Sequence, residues 1–204
     1  MFKDYFCKTL HRVQLDKKLY QALPLLTGLI LDIGSKNRRY DFLLTSRPIA
    51  LDLLANPALD ILPGNVYALN FSDNYFDSVI CLEVLEYVTD LELALSEIKR
   101  VMKKGGVGII SLPFIMSEHG DYVRYTKLFL NQKFSQHFSH IEISSLGNFY
   151  SLILDILRYK IQHTNFILSL ILRLLWGIGL LLWPLFSDYT DQALASGYLI
   201  KVIK

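Results

Sequence analysis

Three apolar runs in the first 113 residues constrain the fold of this chain most strongly. They lie at 29–33, 76–82 and 106–112, and polar residues follow each of them closely. Segments with helical spacing of apolar residues lie between the runs, so strand and helix patterns alternate. This alternation predicts βαβ units and a mostly parallel sheet. In such an open sheet, small ligands bind in the crevice outside the carboxyl ends of the strands.

The rest of the chain extends this pattern. Further strands are predicted near 48–52, 65–68, 140–145 and 197–203, and helices near 15–25, 39–45, 90–103 and 127–138. The helix at 90–103 has the clearest signals, because Asp90 can cap its start and Gly105 follows its end. The expected fold class is α/β: a Rossmann-like, doubly wound sheet of seven mostly parallel strands, with an apolar helical insertion before the last strand.

The insertion is unusually apolar, since Arg173 is the only charged residue between positions 165 and 186. A helix of about 22 residues, rising about 1.5 Å per residue, is long enough to cross a bilayer core. A single crossing would separate the last strand from its sheet, however. An interfacial helix pair or a re-entrant hairpin is therefore favoured, with bends at Gly177, Gly179 and Pro184. A buried helical cap, a homodimer interface and a true transmembrane anchor remain open as alternatives.

These patterns predict two regions: a sheet domain at 1–148 and 195–204, and a helical insertion at 149–194 that contacts a membrane surface or covers the substrate. Residues 1–20 mix basic and aromatic side chains. Such a mixture suits an anionic membrane surface, and it equally suits an amphipathic helix packed on the domain.

Composition argues against nucleic-acid binding and favours a reducing cellular compartment. The net charge of +2 is too small to indicate nucleic acid as a partner, whereas 52% hydrophobic residues is high for a soluble protein. The two cysteines, Cys7 and Cys81, lie far apart and indicate a reducing compartment rather than a disulfide framework. No secretory signal is evident. The expected location is cytoplasmic, peripheral on the inner face of a membrane. The histidines and cysteines show no metal-ligand spacing.

The first two strands end in residues suited to a nucleotide-like ligand. The first continues as Asp32-Ile-Gly-Ser-Lys-Asn-Arg38. Gly34 allows a close approach of backbone to ligand, and free N–H groups at a helix start favour a carboxylate or phosphate. Asp52 closes the second strand 18 residues after Gly34. An acidic residue at about this spacing accepts hydrogen bonds from ribose hydroxyls.

Two further blocks follow. One is Gly64-Asn-Val-Tyr-Ala-Leu-Asn-Phe71, and the other runs from Ser72 to Val88 and contains the fourth predicted strand, Phe76 to Leu82, and Glu83. Together with the first loop and Lys103-Lys-Gly-Gly106, they resemble the class I S-adenosylmethionine-dependent methyltransferases of the small-molecule type called methyltransferase type 11. The resemblance covers about residues 25–146 and the last strand. The family usually has Asp-x-Gly-x-Gly-x-Gly, so Lys36 and Arg38 replace its second and third glycines.

The resemblance implies S-adenosylmethionine as cofactor. It places the methionine part beside the first loop, the ribose on Asp52 and the adenine on the loop that carries Asn65. The pocket residues that it implies are Asp32, Gly34, Ser35, Asp52, Asn65, Val66 and Glu83. Asn65 replaces the usual aspartate at the adenine amino group and still offers an acceptor oxygen. Lys36 or Arg38 then pairs with the methionine carboxylate, unless the altered loop has lost the cofactor.

The segment His119-Gly-Asp-Tyr-Val-Arg-Tyr-Thr126 is similar to an element found after the fifth strand in one branch of the family. Its residues are the candidates for catalysis. His119 is the candidate general base, because its ordinary pKa lies near the working pH. Asp121 orients that base or binds substrate. Tyr122, Arg124 and Tyr125 are expected to hold an anionic or sugar acceptor.

Two functions follow from these observations. The first is methyl transfer to an apolar or lipid-linked small molecule, such as a glycan intermediate carried on a polyprenyl lipid. The second is a non-catalytic, methyltransferase-like module for binding or assembly at a membrane, which the two replaced glycines and Asn65 suggest. The conformation of residues 35–38 discriminates between them, because a side chain filling the methionine pocket would favour the second.

Overall fold

The structure is a computed structural model and describes residues 8–115, 121–187 and 194–204. Seven strands form one sheet in the order β3-β2-β1-β4-β5-β7-β6. The strands are β1 (Ile30–Ile33), β2 (Ile49–Asp52), β3 (Ile61–Pro63), β4 (Phe76–Leu82), β5 (Met102–Pro113), β6 (His140–Leu146) and β7 (Gly197–Ile203). The pairs from β3 to β5 are all parallel. The chain order reverses between β1 and β4, where open α/β sheets bind their ligands.

Within the described residues, five α-helices accompany the sheet. They are α1 (Leu10–Ala22), α2 (Leu91–Val101), α3 (Lys127–His137), α4 (Phe149–Gln162) and α5 (Phe166–Leu182). The predicted cap of α2 is confirmed, because the Leu93 N–H donates to the Asp90 carboxylate at 3.0 Å. This bond satisfies one of the N–H groups that the first helical turn leaves without a partner. The seven-stranded, mostly parallel fold predicted from the sequence is therefore confirmed.

Two local predictions are wrong. Residues 65–68 form a turn rather than a strand, because the Asn65 carboxamide oxygen accepts a hydrogen bond from the Tyr67 N–H at 3.0 Å. Asparagine favours turns through such bonds. The helix predicted at 39–45 is a single 3₁₀ turn, Asp41–Leu43. It follows Arg38, whose φ of +52° interrupts helical backbone just before it.

The core lies along the central strands. Ile30, Leu31, Phe76, Val79 and Ile80 are all at most 2% exposed. Each such side chain contributes about 1.5–3 kcal/mol through burial. This burial holds β1 and β4 side by side and fixes the positions of their carboxyl ends.

The chain divides into two compact units. One comprises Met1–Lys18 and Ser145–Gly197, and the other comprises Leu19–Ser144 and Tyr198–Lys204. In this division, residues 8–18 group with the helical segment. Within that helical unit, the Asp155 carboxylate of α4 accepts hydrogen bonds from the backbone N–H groups of Leu10 and His11, at 2.7 and 3.0 Å. A remote carboxylate thus caps the start of α1.

In the helical unit, α4 and α5 form a closely packed hairpin. A Cβ atom on Gly179 would lie 2.3 Å from a methyl of Leu154, so only glycine allows the helices to approach this closely. The Tyr150 hydroxyl donates to the Gly179 carbonyl at 3.1 Å. The bends predicted at Gly177 and Gly179 do not occur, since α5 continues through both. Gly179 serves the helix contact instead.

Candidate functional site

The turn after β1 is the centre of the site. Gly34 has a φ of +76°, and a Cβ atom there would lie 2.2 Å from a methyl of Val84. The N–H groups of Gly34 and Ser35 both donate to the Leu51 carbonyl, at 2.8 and 2.9 Å. These bonds join the end of β1 to the end of β2. Glycine is required at position 34 by both its conformation and its surroundings.

Lys36 and Arg38, which occupy the positions of the usual second and third glycines, retain a glycine-like backbone. Their φ angles are +38° and +52°. The left-handed conformation costs a non-glycine residue about 1 kcal/mol or more. The loop therefore keeps the course of a glycine loop despite the two cationic side chains, at a cost that the surrounding bonds offset.

Arg38 supplies most of those bonds. Its guanidinium donates to the Asp41 carboxylate at 2.7 Å, to the Pro48 and Asp60 carbonyls at 3.3 and 2.8 Å, and to the Leu59 carbonyl. Its side chain is 10% exposed. Arg38 thus ties the loop to the segments on either side of β2 and does not serve the methionine carboxylate. Lys36 is exposed and is the remaining cation of this loop.

Asp52 lies directly beside the loop. One carboxylate oxygen accepts the Lys36 N–H at 3.0 Å, and the other accepts the Leu54 N–H at 3.2 Å. A carboxylate oxygen has two lone pairs, so each retains capacity to accept a ligand hydroxyl. The structure therefore brings Asp52 together with Gly34, as the sequence predicted.

Asp32 is a half-buried acid in β1, just before the same loop. Burial raises its pKa to about 6, and the nearby Asp41 and Asp52 carboxylates act in the same direction. The Ser35 hydroxyl and the Arg38 guanidinium oppose this rise. Ser35 is itself 7% exposed. An acid with a pKa near 6 changes charge close to physiological pH, which distinguishes it from an ordinary surface aspartate.

The loop that carries Asn65 and Val66 starts next to Asp52. The Gly64 N–H donates to the Asp52 carbonyl at 2.8 Å, and Val66 is 7% exposed. The Tyr67 hydroxyl oxygen accepts the N–H groups of Thr89 and Asp90, at 2.5 and 3.2 Å. Tyr67 thereby fastens this loop to the start of α2.

Arg100 and Glu97 hold the same loop from α2, and the sequence did not single them out. The Glu97 carboxylate accepts the Leu69 N–H at 2.8 Å, while Arg100 donates to the Leu69 and Phe71 carbonyls at 2.7 Å each. Their spacing of three residues on a helix was the available signal. The charged pair positions the loop and does not itself face a ligand.

Glu83 follows β4 with a φ of +56°. Its carboxylate accepts the Ser111 hydroxyl at 2.9 Å, and its N–H donates to the Ser111 carbonyl at 3.0 Å. These bonds join the ends of β4 and β5. The polar groups predicted at strands β1, β2 and β4 therefore lie at the carboxyl edge of one sheet.

The segment after β5 is described from Asp121 onward, so the candidate base His119 lies outside the described residues. The Asp121 carboxylate forms an ion pair with Arg124 and is 6% exposed. The N–H groups of Tyr122 and Val123 donate to the Glu86 carbonyl at 2.9 and 3.2 Å. This segment is thus attached to the turn that follows β4.

The two tyrosines of this segment differ in exposure. Tyr122 is 72% exposed and can contact an acceptor. Tyr125 is 9% exposed and stacks on Phe129 with 5.3 Å between ring centroids. Burial also raises its pKa. Tyr125 therefore packs in the fold here, whereas the sequence predicted that it holds the acceptor.

The residues fit an S-adenosylmethionine molecule. Gly34 allows a close approach, and Asp52 presents acceptors suited to a ribose. Asn65 and Val66 follow directly on the neighbouring strand, where the adenine would lie. No metal-binding cluster of three His, Cys, Asp or Glu side chains occurs among the residues that the structure describes.

Comparison with known proteins supports this fit. Residues 30–110 match the family model described as a methyltransferase domain, of type 11. An uncharacterized protein of Methanocaldococcus jannaschii is 47% identical over 47 residues, which are 23% of this chain and 20% of that protein. The match thus spans only a fifth of that relative's length.

Two solved structures share the fold. An S-adenosylmethionine-dependent methyltransferase of Thermotoga maritima superposes with a TM-score of 0.61 at 15% identity, covering 100% of this chain and 94% of that one. Phosphoethanolamine N-methyltransferase 2 of Haemonchus contortus, in complex with S-adenosylmethionine, gives 0.57 at 16% identity, covering 92% and 52%. At these identities the likeness shows the fold alone.

The family match supports the enzyme class and the cofactor predicted from the sequence. Residues 30–110 contain β1 to β4, α2 and most of β5, and they include every predicted cofactor residue. Over residues 30–110 the chain is similar to the methyltransferase domain of type 11, and it shares the fold of S-adenosylmethionine-dependent methyltransferases.

Proposed function

We propose that the chain transfers a methyl group from S-adenosylmethionine to an apolar or lipid-linked small molecule. A glycan intermediate carried on a polyprenyl lipid is an acceptor of this kind. The observation that carries the proposal is the loop at 34–38, whose backbone keeps the course of a glycine loop while the Arg38 side chain is bound away from the ligand side. This arrangement favours a working enzyme over a non-catalytic module.

In this proposal, each strand end holds one part of the cofactor. Asp52 accepts the ribose hydroxyls, and Asn65 accepts the adenine amino group while Val66 packs against the ring. The backbone of Gly34 and Ser35 lies along the methionine part. When bound, S-adenosylmethionine supplies an electrophilic methyl group on a sulfonium. The chain's own contribution is to hold the acceptor in line, because alignment lowers the barrier of such a displacement strongly.

The acceptor side is assigned to the segment from His119 to Arg124. His119 takes the acceptor's proton where the acceptor carries one. Arg124 offers five donors, and its pairing with Asp121 fixes its guanidinium for a hydroxyl or an anionic group. Tyr122 supplies an exposed aromatic ring.

The apolar nature of the acceptor is inferred from the helical unit. Phe166–Leu185 is 20 residues long, has a mean hydropathy of 2.2, and is 22% buried. Exposed apolar surface of this extent marks contact with a membrane or a partner. We place the enzyme in the cytoplasm, peripheral on the inner face of a membrane, where an acceptor of low water solubility would be found.

The proposal is tested by label transfer. Purified protein in detergent is incubated with methyl-labelled S-adenosylmethionine and a lipid extract, and label is measured in the organic phase. Wild type and the control Asp60→Asn are expected to transfer label, and Asp52→Asn is expected to transfer much less. Asp60 is a suitable control because its carboxylate is exposed and pairs with Arg47 at the surface. Equal incorporation by all three proteins, or by none, would contradict the proposal.

A further inference from the structure

The exposed side of α5 is broader than a protein contact requires. Six apolar side chains of its first three turns are each more than half exposed: Phe166, Ile167, Leu170, Ile171, Leu174 and Leu175. At 3.6 residues per turn they cover about 180° of the helix circumference. The buried residues, Ser169, Gly179, Leu180 and Trp183, lie on the opposite side. The exposed half is called the apolar arc below.

The width of the apolar arc indicates what covers it. A helix that packs against one protein surface presents an apolar stripe of about 100°. The arc is nearly twice as wide, so a single partner helix, including one from a second copy, would leave much of it in water. Lipid hydrocarbon surrounds a helix continuously and can cover the whole arc.

The ends of the insertion lie together, which decides how α5 can meet a membrane. The Ser196 N–H donates to the Leu146 carbonyl at 2.7 Å, so the chain leaves and re-enters at the same place. A segment that crossed a bilayer would need a second crossing to return. The other helix of the hairpin, α4, contains Asp155, Arg158 and Lys160. In the parts of the chain that the structure describes, Phe166–Leu185 is the only stretch apolar and long enough to cross.

Charge indicates the kind of lipid. The helical unit contains eight Lys and Arg against five Asp and Glu, a net charge of +3, whereas the sheet unit has a net charge of −1. Lys160 and His163 are exposed immediately before α5. Arg173 is exposed at the border of the apolar arc, where its long side chain can reach a headgroup. Basic residues beside an apolar helix face favour anionic membranes.

We propose that α5 is a monotopic anchor, which inserts its apolar arc into one leaflet of an anionic phospholipid membrane and leaves both of its ends on the same side. This inference rests on the membrane contact proposed above and specifies its mode and its lipid. Because cofactor binding in detergent does not depend on it, failure of the anchor and failure of the enzyme are distinguishable.

Liposome flotation tests the surface. The full chain is mixed with vesicles of phosphatidylcholine, with or without phosphatidylglycerol. Wild type is expected to float, and to bind at least about tenfold more strongly with the anionic lipid. Leu170→Gln, Leu174→Gln and Leu175→Gln together are expected to weaken flotation at least about tenfold, because three exposed apolar side chains are lost from the arc. The matched control makes the same change to glutamine at Leu25, Leu54 and Leu128, three leucines of the sheet unit that are more exposed than those of the arc.

Circular dichroism on each variant confirms that it is folded. Wild type that remains off both kinds of vesicle would overturn the proposal. If wild type does not float and light scattering shows a dimer, the apolar arc would be assigned to contact with a second copy. That result would also overturn the membrane anchor.

Cysteine labelling tests the topology. Gln162→Cys and Ser187→Cys are placed on either side of α5, one at a time, in a Cys7→Ser background. Cys81 is fully buried and is not expected to react. With protein added to preformed intact vesicles, both introduced cysteines are expected to react with a membrane-impermeant maleimide. Labelling of either one only after the vesicles are permeabilised would show a crossing and overturn the monotopic mode.

Discussion

Gly34→Ala is the substitution whose effect the structure predicts most fully. Two separate costs apply at this position. The φ of +76° costs an alanine about 1–2 kcal/mol, because the left-handed conformation crowds its Cβ against the carbonyl. The new Cβ also lies 2.2 Å from a methyl of Val84, and crowding of this kind costs about 1–3 kcal/mol. Gly34→Ala should therefore lower the free energy of unfolding by about 2–5 kcal/mol.

A matched control separates the two costs. Gly105 has a φ of +75°, and a Cβ atom there would meet nothing within 4 Å. Gly105→Ala should therefore lose only the conformational part, about 1–2 kcal/mol. The double variant Gly34→Ala with Val84→Ala should regain most of the crowding part and keep the conformational part.

The assay is urea unfolding followed by circular dichroism, together with calorimetric titration with S-adenosylhomocysteine. We expect Gly34→Ala to weaken the cofactor product as well, because the loop would have to move to accommodate the methyl group. Equal destabilisation by Gly34→Ala and Gly105→Ala, with no recovery from Val84→Ala, would refute the close contact between the loop and the turn after β4.

Three further predictions concern the same region. Lys36→Gly should be nearly neutral or slightly stabilising in urea unfolding, because it relieves a φ of +38° at an exposed position. Arg38→Gly should cost about 2–4 kcal/mol, because its hydrogen bonds are lost. A larger loss of stability for Lys36→Gly than for Arg38→Gly would contradict these roles. Tyr67→Phe should cost about 0.5–1.5 kcal/mol, since two exposed N–H groups at the start of α2 lose their acceptor. Unchanged unfolding would exclude that role. The pKa of Asp32 is raised to about 6 in the folded state, so the folded state binds the proton more tightly. The contribution of Asp32 to the unfolding free energy should therefore fall as pH rises from about 4 to about 6. Asp32→Asn should remove this fall and should be more stable than wild type at neutral pH by up to about 3 kcal/mol. Parallel profiles of unfolding free energy against pH for the two proteins would contradict the raised pKa.

The sequence predicted the sheet well because its central strands are buried on both faces. Runs such as Phe76–Leu82 then read as continuous apolar segments, and the polar residues after them mark the ligand edge. The Asn65 turn was missed because its neighbours Val66 and Tyr67 also favour strands, and one side-chain hydrogen bond decided the conformation.

The roles of Arg38 and the first helix were not predictable from pattern alone. Arg38 binds mainly backbone carbonyls, and such acceptors exist at every residue and leave no signal in the sequence. The grouping of α1 with the insertion depends on Asp155, which lies 145 residues beyond Leu10. A contact at that separation is set by the tertiary fold and not by local periodicity.

The most direct test of the proposed enzyme is calorimetric titration of the full chain, in detergent, with S-adenosylhomocysteine. Wild type and Asp60→Asn should bind it with micromolar affinity. Asp52→Asn should bind at least about tenfold more weakly, which corresponds to about 1.4 kcal/mol. That result would place the cofactor at the carboxyl ends of β1 and β2. A folded wild type that binds nothing up to millimolar concentration would contradict cofactor binding and favour the non-catalytic module.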